Sequence, residues 1–177
     1  MRLTDYTDYA LRVLLYLAVR GDGLATIQDI SQAYGISKNH LMKVVQQLSE
    51  RGWVETVRGR HGGLRLGEQA LALTVGDVVR LTENDFALVG CLPDRQGEQR
   101  ACVITSHCRL RGALLAARDA FLAELDRYTI AEVAQPQGPL ASLLGLGATI
   151  PILPVAAVSG GSGGSSGAGG GNPTPPG

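Results

Sequence analysis

Apolar residues return every third or fourth position through the first part of the chain, and glycine closes each run. Between Thr7 and Arg20, the residues Ala10, Val13, Leu14, Leu17 and Ala18 share one helical face, and Gly21 with Gly23 ends that helix. Thr26 and Asp29 have the spacing of a capping box, which predicts a short helix to Tyr34, stopped by Gly35. Ser37 is expected to cap a third helix, Lys38 to about Glu50, with Leu41, Val44, Val45 and Leu48 on its apolar face and Gly52 beyond its end. The pattern then changes: Trp53 to Arg58 and Leu64 to Leu66 read as strands joined by the turn Gly59-Arg60-His61-Gly62-Gly63. Thr74 and Asp77 repeat the capping box ahead of a helix to about Glu83. Residues 86–108 carry no regular period. A long helix follows, Arg109 to about Arg127, on which Leu110, Leu114, Ala117, Phe121, Leu125 and Tyr128 trace one stripe, and Thr129 with Glu132 caps a short final turn.

Charge sharpens the boundaries. Every charged side chain lies at or before Glu132, and from Ser159 the chain reads SGGSGGSSGAGGGNPTPPG. Such a segment buries too little apolar area to offset the entropy of ordering it, so residues 148–177 are expected to form a disordered tail. The rest divides into residues 1–85, a winged helix-turn-helix DNA-binding domain; 86–108, a cysteine loop; and 109–147, a dimerisation helix with a C-terminal turn. The predicted fold class is mainly α with a small β-hairpin wing. Asp5 and Asp8 stand where a secretory signal carries positive charge, and Arg12 breaks the apolar stretch Leu11 to Val19. That stretch, like the proline-broken one from Thr149 to Val158, is too short to span a bilayer, and the chain is expected to be cytoplasmic.

With 18% charged residues and a formal net charge of zero, the chain is not a generally basic nucleic-acid coat. A local patch survives the averaging: Ile36 to Arg65 holds six Lys/Arg against two Glu, a net of +4. Helix, glycine turn, helix and hairpin is the order of a winged helix-turn-helix, in which the third helix reads DNA. Its first turn, Ser37-Lys38-Asn39-His40, is rich in donors, and Lys43 follows. Asparagine pairs bidentately with adenine and lysine donates to guanine acceptors. Arg58, Arg60 and His61 at the hairpin tip suit phosphate contact or insertion into a minor groove. A merely solvated helix face and an ordinary charged turn account for either segment alone; their order and shared charge favour a DNA-binding module.

Cys91, Cys102 and Cys108 are spaced C-x10-C-x5-C. An odd, clustered set argues against a disulfide framework. Three thiols suit an iron–sulfur cluster with one non-cysteine ligand, or a Cys3His zinc site using His107; buried structural thiols are the plainer alternative. An electron-transfer or thiol-redox protein is a reading of another class, weakened by the absence of a CxxC pair and of a GxGxxG fingerprint. The chain is not expected to be an enzyme.

The opening RLTDYTDYALRVLLYLA, the stretch SKNHLMKVVQQLSERGWVETVRGRHGGLRLG and the block CVITSHCRLRGAL resemble the winged-helix iron–sulfur regulators. The resemblance covers about residues 1–145, and among the branches of that family it is nearer the nitric-oxide-sensing NsrR type than the cluster-biogenesis IscR type. The stretch CRLRGALLAARDAFLAELDRYTIAEV follows the NsrR pattern throughout, and Arg111 occupies the place of the IscR histidine ligand. The resemblance implies a homodimeric repressor of a palindromic operator that releases DNA when its cluster reacts with nitric oxide. It also implies a [4Fe–4S] cluster on Cys91, Cys102 and Cys108, with Asp8 of the partner subunit as fourth ligand. A redox- or iron-sensing regulator with a [2Fe–2S] cluster or reactive thiols is the alternative. Asp8 has a plainer reading too, as a surface ion pair with Arg12 four residues on. The ten residues between Cys91 and Cys102 exceed the family's usual gap. A longer polar loop costs only about 0.6 kcal/mol per doubling, but it brings Asp94 and Glu98 near as rival oxygen donors. The stripe on the long helix exceeds what the first 85 residues can cover, which predicts that it packs against a second copy.

Overall fold

The computed structural model describes residues 2–94 and 97–147; the tail expected from residue 148 onward lies outside them. Helix α1, Asp5–Arg20, starts two residues ahead of the predicted run because Thr4 takes the N-cap position and its hydroxyl accepts from the Thr7 amide. Ala10, Val13 and Leu14 on its inner face are wholly inaccessible. This helix is the hub of the molecule and touches α3, α4, α6, α7 and β2, elements drawn from almost the whole described length.

Around it the predicted elements fall into place. Helix α2, Ile27–Tyr34, is closed in front by the Thr26–Asp29 capping box and behind by Gly35 at φ +67°, a left-handed turn that glycine adopts without steric cost. Helix α3, Lys38–Glu50, buries Leu41, Val44, Val45 and Leu48. Strands β1, Val54–Val57, and β2, Gly63–Leu66, pair antiparallel with Val54 opposite Leu66 and Val57 opposite Gly63. Ala25 adds a bridge to Leu64, with amide–carbonyl distances of 2.9 and 2.6 Å, and so moors the hairpin to the segment before α2. A Cβ on Gly63 would lie 2.8 Å from the Ala25 carbonyl oxygen, and that close approach explains the glycine.

A 3-10 turn, Ala70–Ala72, leads into α4, Val75–Thr82, behind the Thr74–Asp77 capping box. Helix α5, Arg109–Leu125, and the short α6, Ile130–Val133, behind the Thr129–Glu132 capping box, follow the cysteine loop. The expected terminal turn is followed by one further helix, α7, Gln137–Leu143. It buries Ala141 and sets the Gln137 amide 3.5 Å from the Ala18 carbonyl oxygen of α1. The arrangement is a winged helix-turn-helix, mainly α with one small hairpin. No helix among the described residues is long and apolar enough to cross a membrane.

Candidate nucleic-acid interface and cysteine loop

The face of α3 opposite its buried stripe is open. Lys38, Asn39, His40 and Lys43 are all exposed, as is Ser37 before them. Ser37 occupies the N-cap position but its side chain makes no cap hydrogen bond, contrary to expectation. The first turn is closed by the Ser37 carbonyl instead, which accepts from the His40 and Leu41 amides at 3.1 Å. The hydroxyl therefore remains with the outward donors rather than spent on the helix.

Two tyrosines of α1, not anticipated from the sequence, brace this face. The Tyr9 ring stacks on His40 with centroids 6.0 Å apart, and the Tyr6 hydroxyl donates to the Lys43 carbonyl oxygen at 3.3 Å. Burial pushes the Tyr6 phenol above its ordinary pKa, and Glu50 adds to the shift. Aromatic residues at i and i+3 beside the apolar stripe were the available signal.

At the hairpin tip Arg58, Arg60 and His61 are exposed. Gly59 takes φ +122°, and a Cβ on Gly62 would collide with the Val57 carbonyl oxygen, so the tight tip depends on both glycines. Arg65 is committed elsewhere: it lies opposite Glu55 in the ladder and pairs with it at 2.6 Å. Among the described residues Lys38, Lys43, Arg58 and Arg60 enter no ion pair, so their charges are not neutralised within the chain.

The cysteine loop leaves α4 at Glu83. This carboxylate is only 8% exposed, and its Oε1 accepts from the Thr4 amide at 2.8 Å and from the Thr4 and Thr7 hydroxyls at 3.1 and 2.5 Å. Thr7 and Thr82 are bonded at 2.8 Å beside it. The first turn of α1 is thus fastened to the root of the loop, a contact that no local sequence pattern announces. One residue after Thr7, Asp8 accepts from Arg12 Nε at 2.9 Å and remains about half exposed (46%). The Arg12 guanidinium lies 5.5 Å from the centre of the Tyr34 ring, and its pKa is raised chiefly by the hydrogen bond to Asp8.

The long gap between the first two cysteines folds back on itself. The Arg100 amide donates to the Gly90 carbonyl oxygen at 2.6 Å, the Asp94 amide to that of Glu98 at 2.9 Å, and the Asp94 carboxylate accepts from the Glu98 amide at 2.8 Å. Cys91 and Cys108 are half-buried and Cys102 is exposed. Cys108 is the N-cap of α5, its sulfur 3.4 Å from the Arg111 amide. His107 meets Ser106 through Nδ1 at 2.9 Å. Among the described residues no three His, Cys, Asp or Glu side chains stand close enough to hold a metal ion, so neither the three cysteines nor the His107 alternative forms a gathered site in the single chain.

No residue of α5 is buried. Leu110 is 65% exposed on its expected stripe, and Val103 and Ile104, in the cysteine loop before the helix, are open as well.

The profile of the Rrf2 family, described as iron-dependent transcriptional regulators, matches residues 3–136. The chain is 46% identical over 145 residues to the HTH-type transcriptional regulator NsrR of Bacillus licheniformis, an alignment covering 81% of this chain and 99% of that one. It is equally similar, at 46%, to the NsrR of Bacillus subtilis, covering 81% of this chain and 97% of that one. Among solved structures, that of CymR, the global cysteine regulator of B. subtilis, superposes with a TM-score of 0.62 at 26% identity, covering 76% of this chain and 96% of that one.

Proposed function

The chain belongs to the Rrf2 family of transcriptional regulators, and its relatives of that family are regulators rather than enzymes; we propose that it is a homodimeric repressor that reads nitric oxide through an iron–sulfur cluster and releases a palindromic operator in response. The observation that carries this reading is that α1, the helix bearing Asp8, also bears Tyr6 and Tyr9, which touch the outward turns of α3. A change at Asp8 is therefore one helical turn from side chains that brace the reading helix.

The donor set suits such a cluster in kind. Three thiols and a carboxylate are the right chemistry, and Cys108 stands at the N-cap of α5 with its sulfur toward the Arg111 amide. Drawing the three cysteines together is work that metal-binding energy would supply. Cys91, Cys102 and Cys108 of one subunit, with Asp8 of the partner subunit, would hold a [4Fe–4S] cluster; held there, it would offer iron to which nitric oxide binds. To serve, Asp8 leaves Arg12, a half-exposed pair worth about 0.3–0.5 kcal/mol. The Asp94 carboxylate, engaged by the Glu98 amide, is a poorer rival.

Lys38, Asn39, His40 and Lys43 enter the major groove with Ser37, while Arg58, Arg60 and His61 reach phosphates or the minor groove. Two copies joined along α5 place two such heads on a two-fold site, and the open Leu110, Val103 and Ile104 supply the apolar contact. A switch from mostly bound to mostly free needs the two states to differ by several kcal/mol in DNA affinity.

Native mass spectrometry of protein purified without oxygen, before and after nitric oxide, tests this. A dimer carrying four irons and four sulfides per subunit, lost stepwise with nitric oxide, is expected. Two irons per subunit, or a single zinc, would transfer the signal to redox or metal status; a monomer at micromolar concentration would sink the dimer.

A further inference from the structure

The direction of α5 relative to the reading head is set at one joint. At its foot the backbone is stitched to the start of α4: the Val75 amide donates to the Tyr128 carbonyl oxygen at 2.8 Å, and the Ile130 amide to that of Leu73 at 2.8 Å, around the Thr74–Thr129 bridge. Such a stitch is a pivot and permits tilt. Five residues further along α4, Arg80 closes both nitrogens of its fork on Asp126, Nη1 to Oδ1 at 2.5 Å and Nη2 to Oδ2 at 2.6 Å. Asp126 is the C-cap of α5, so this second anchor, although both side chains are partly exposed, stands off the pivot and opposes the rotation.

Gly76 makes room for it. A Cβ at that position would collide with Asp126 Oδ1 and lie 2.8 Å from Arg80 Nη1. No residue of α5 is fully buried, and its half-buried side chains such as Leu114, Phe121 and Leu125 hold its direction only weakly.

We propose that the Arg80–Asp126 clamp over Gly76 determines specificity, by setting the half-site spacing that the dimer accepts; this rests on the reading of the protein as a dimeric repressor. The lever is long enough for the effect. The 17 residues of α5 extend about 25 Å at ~1.5 Å per residue, so a tilt of about 8° at the foot moves the far end by roughly one ~3.4 Å base step. Arg80, Asp126 and Gly76 are positioning residues and need touch no base.

In vitro selection from random DNA with the full-length, anaerobically purified protein yields the preferred palindrome, whose spacer is then changed by one and two base pairs. The native protein is expected to lose about tenfold or more in affinity per base pair of change, the scale of a mismatched site. Asp126→Asn and Arg80→Gln should flatten that ratio to less than about threefold. Gly76→Ala, which displaces the carboxylate without altering any charge, should do the same. A purely structural role would lower affinity for every spacer alike and leave the ratio unchanged, and that result in the two clamp variants overturns the proposal. Failure of the native protein to select any two-fold site overturns the repressor reading and the clamp's role with it.

Discussion

Glu83 is a charged side chain at 8% exposure, tolerated because the Thr4 amide and the Thr4 and Thr7 hydroxyls all donate to it. Replacing it with alanine removes the shared acceptor of the Thr4 amide and the Thr4 and Thr7 hydroxyls and should cost about 1–3 kcal/mol in urea unfolding, with Glu83→Gln milder because it keeps one acceptor. Asp8→Ala is the contrasting case. Its surface pair with Arg12 is weak, so unfolding should shift by less than about 1 kcal/mol, while cluster content or the response of DNA binding to nitric oxide changes; normal values of both would refute its assignment as a ligand. At this scale the sequence was unevenly legible. Lys38, Asn39, His40, Arg58, Arg60 and His61 were recognisable, because exposure of polar residues follows from the apolar period beside them. Glu83, Tyr6 and Tyr9 were not, since each acts across a tertiary contact, and Ser37 shows that a good capping residue at the right place need not cap.

At the scale of elements, local chemistry was the most readable part. All three Thr-x-x-acid boxes form as their spacing predicts. Thr129→Ala should therefore cost about 1 kcal/mol, measured by thermal or urea unfolding. Helix α7 escaped because a short charge-free segment carries no capping or dipole signal and forms by packing on α1. The joint between α4 and α5 has an acid signature. The Asp126 carboxyl is held below its ordinary pKa chiefly by the Arg80 hydrogen bonds, with Thr74 adding, and Glu132 is lowered by the Thr129 amide and then its hydroxyl. Glu124 is lowered by Arg127 first, with Tyr128 contributing. Depressed carboxyls stabilise the fold above their unfolded pKa of about 4 and lose that contribution as pH falls through the folded value. These groups should thus contribute no slope to the unfolding midpoint between pH 6 and 8 and a decline on acidification below about pH 4, read by circular dichroism.

Across the whole molecule, neutrality hides polarity. A chain with no net charge presents Lys38, Lys43, Arg58 and Arg60 outside any ion pair of the described residues, on the proposed reading surface, so its affinity for DNA should fall steeply with salt. Arg58→Ala or Arg60→Ala should each lower the slope of log K against log salt by about 0.9 for each phosphate that the arginine neutralises, measured by fluorescence anisotropy over a salt series. An unchanged slope would remove the hairpin tip from the interface.

The central place of α1 has a consequence for synthesis. Helix α1 is completed well before one of its partners, because Gln137, which meets Ala18, is made 119 residues later. At about 5–20 residues per second, Ala18 waits roughly 6–24 s after its own synthesis for Gln137. During that interval the end of α1 that α7 will cover stays open, so the fold closes over this helix only once the segment after α6 has been made.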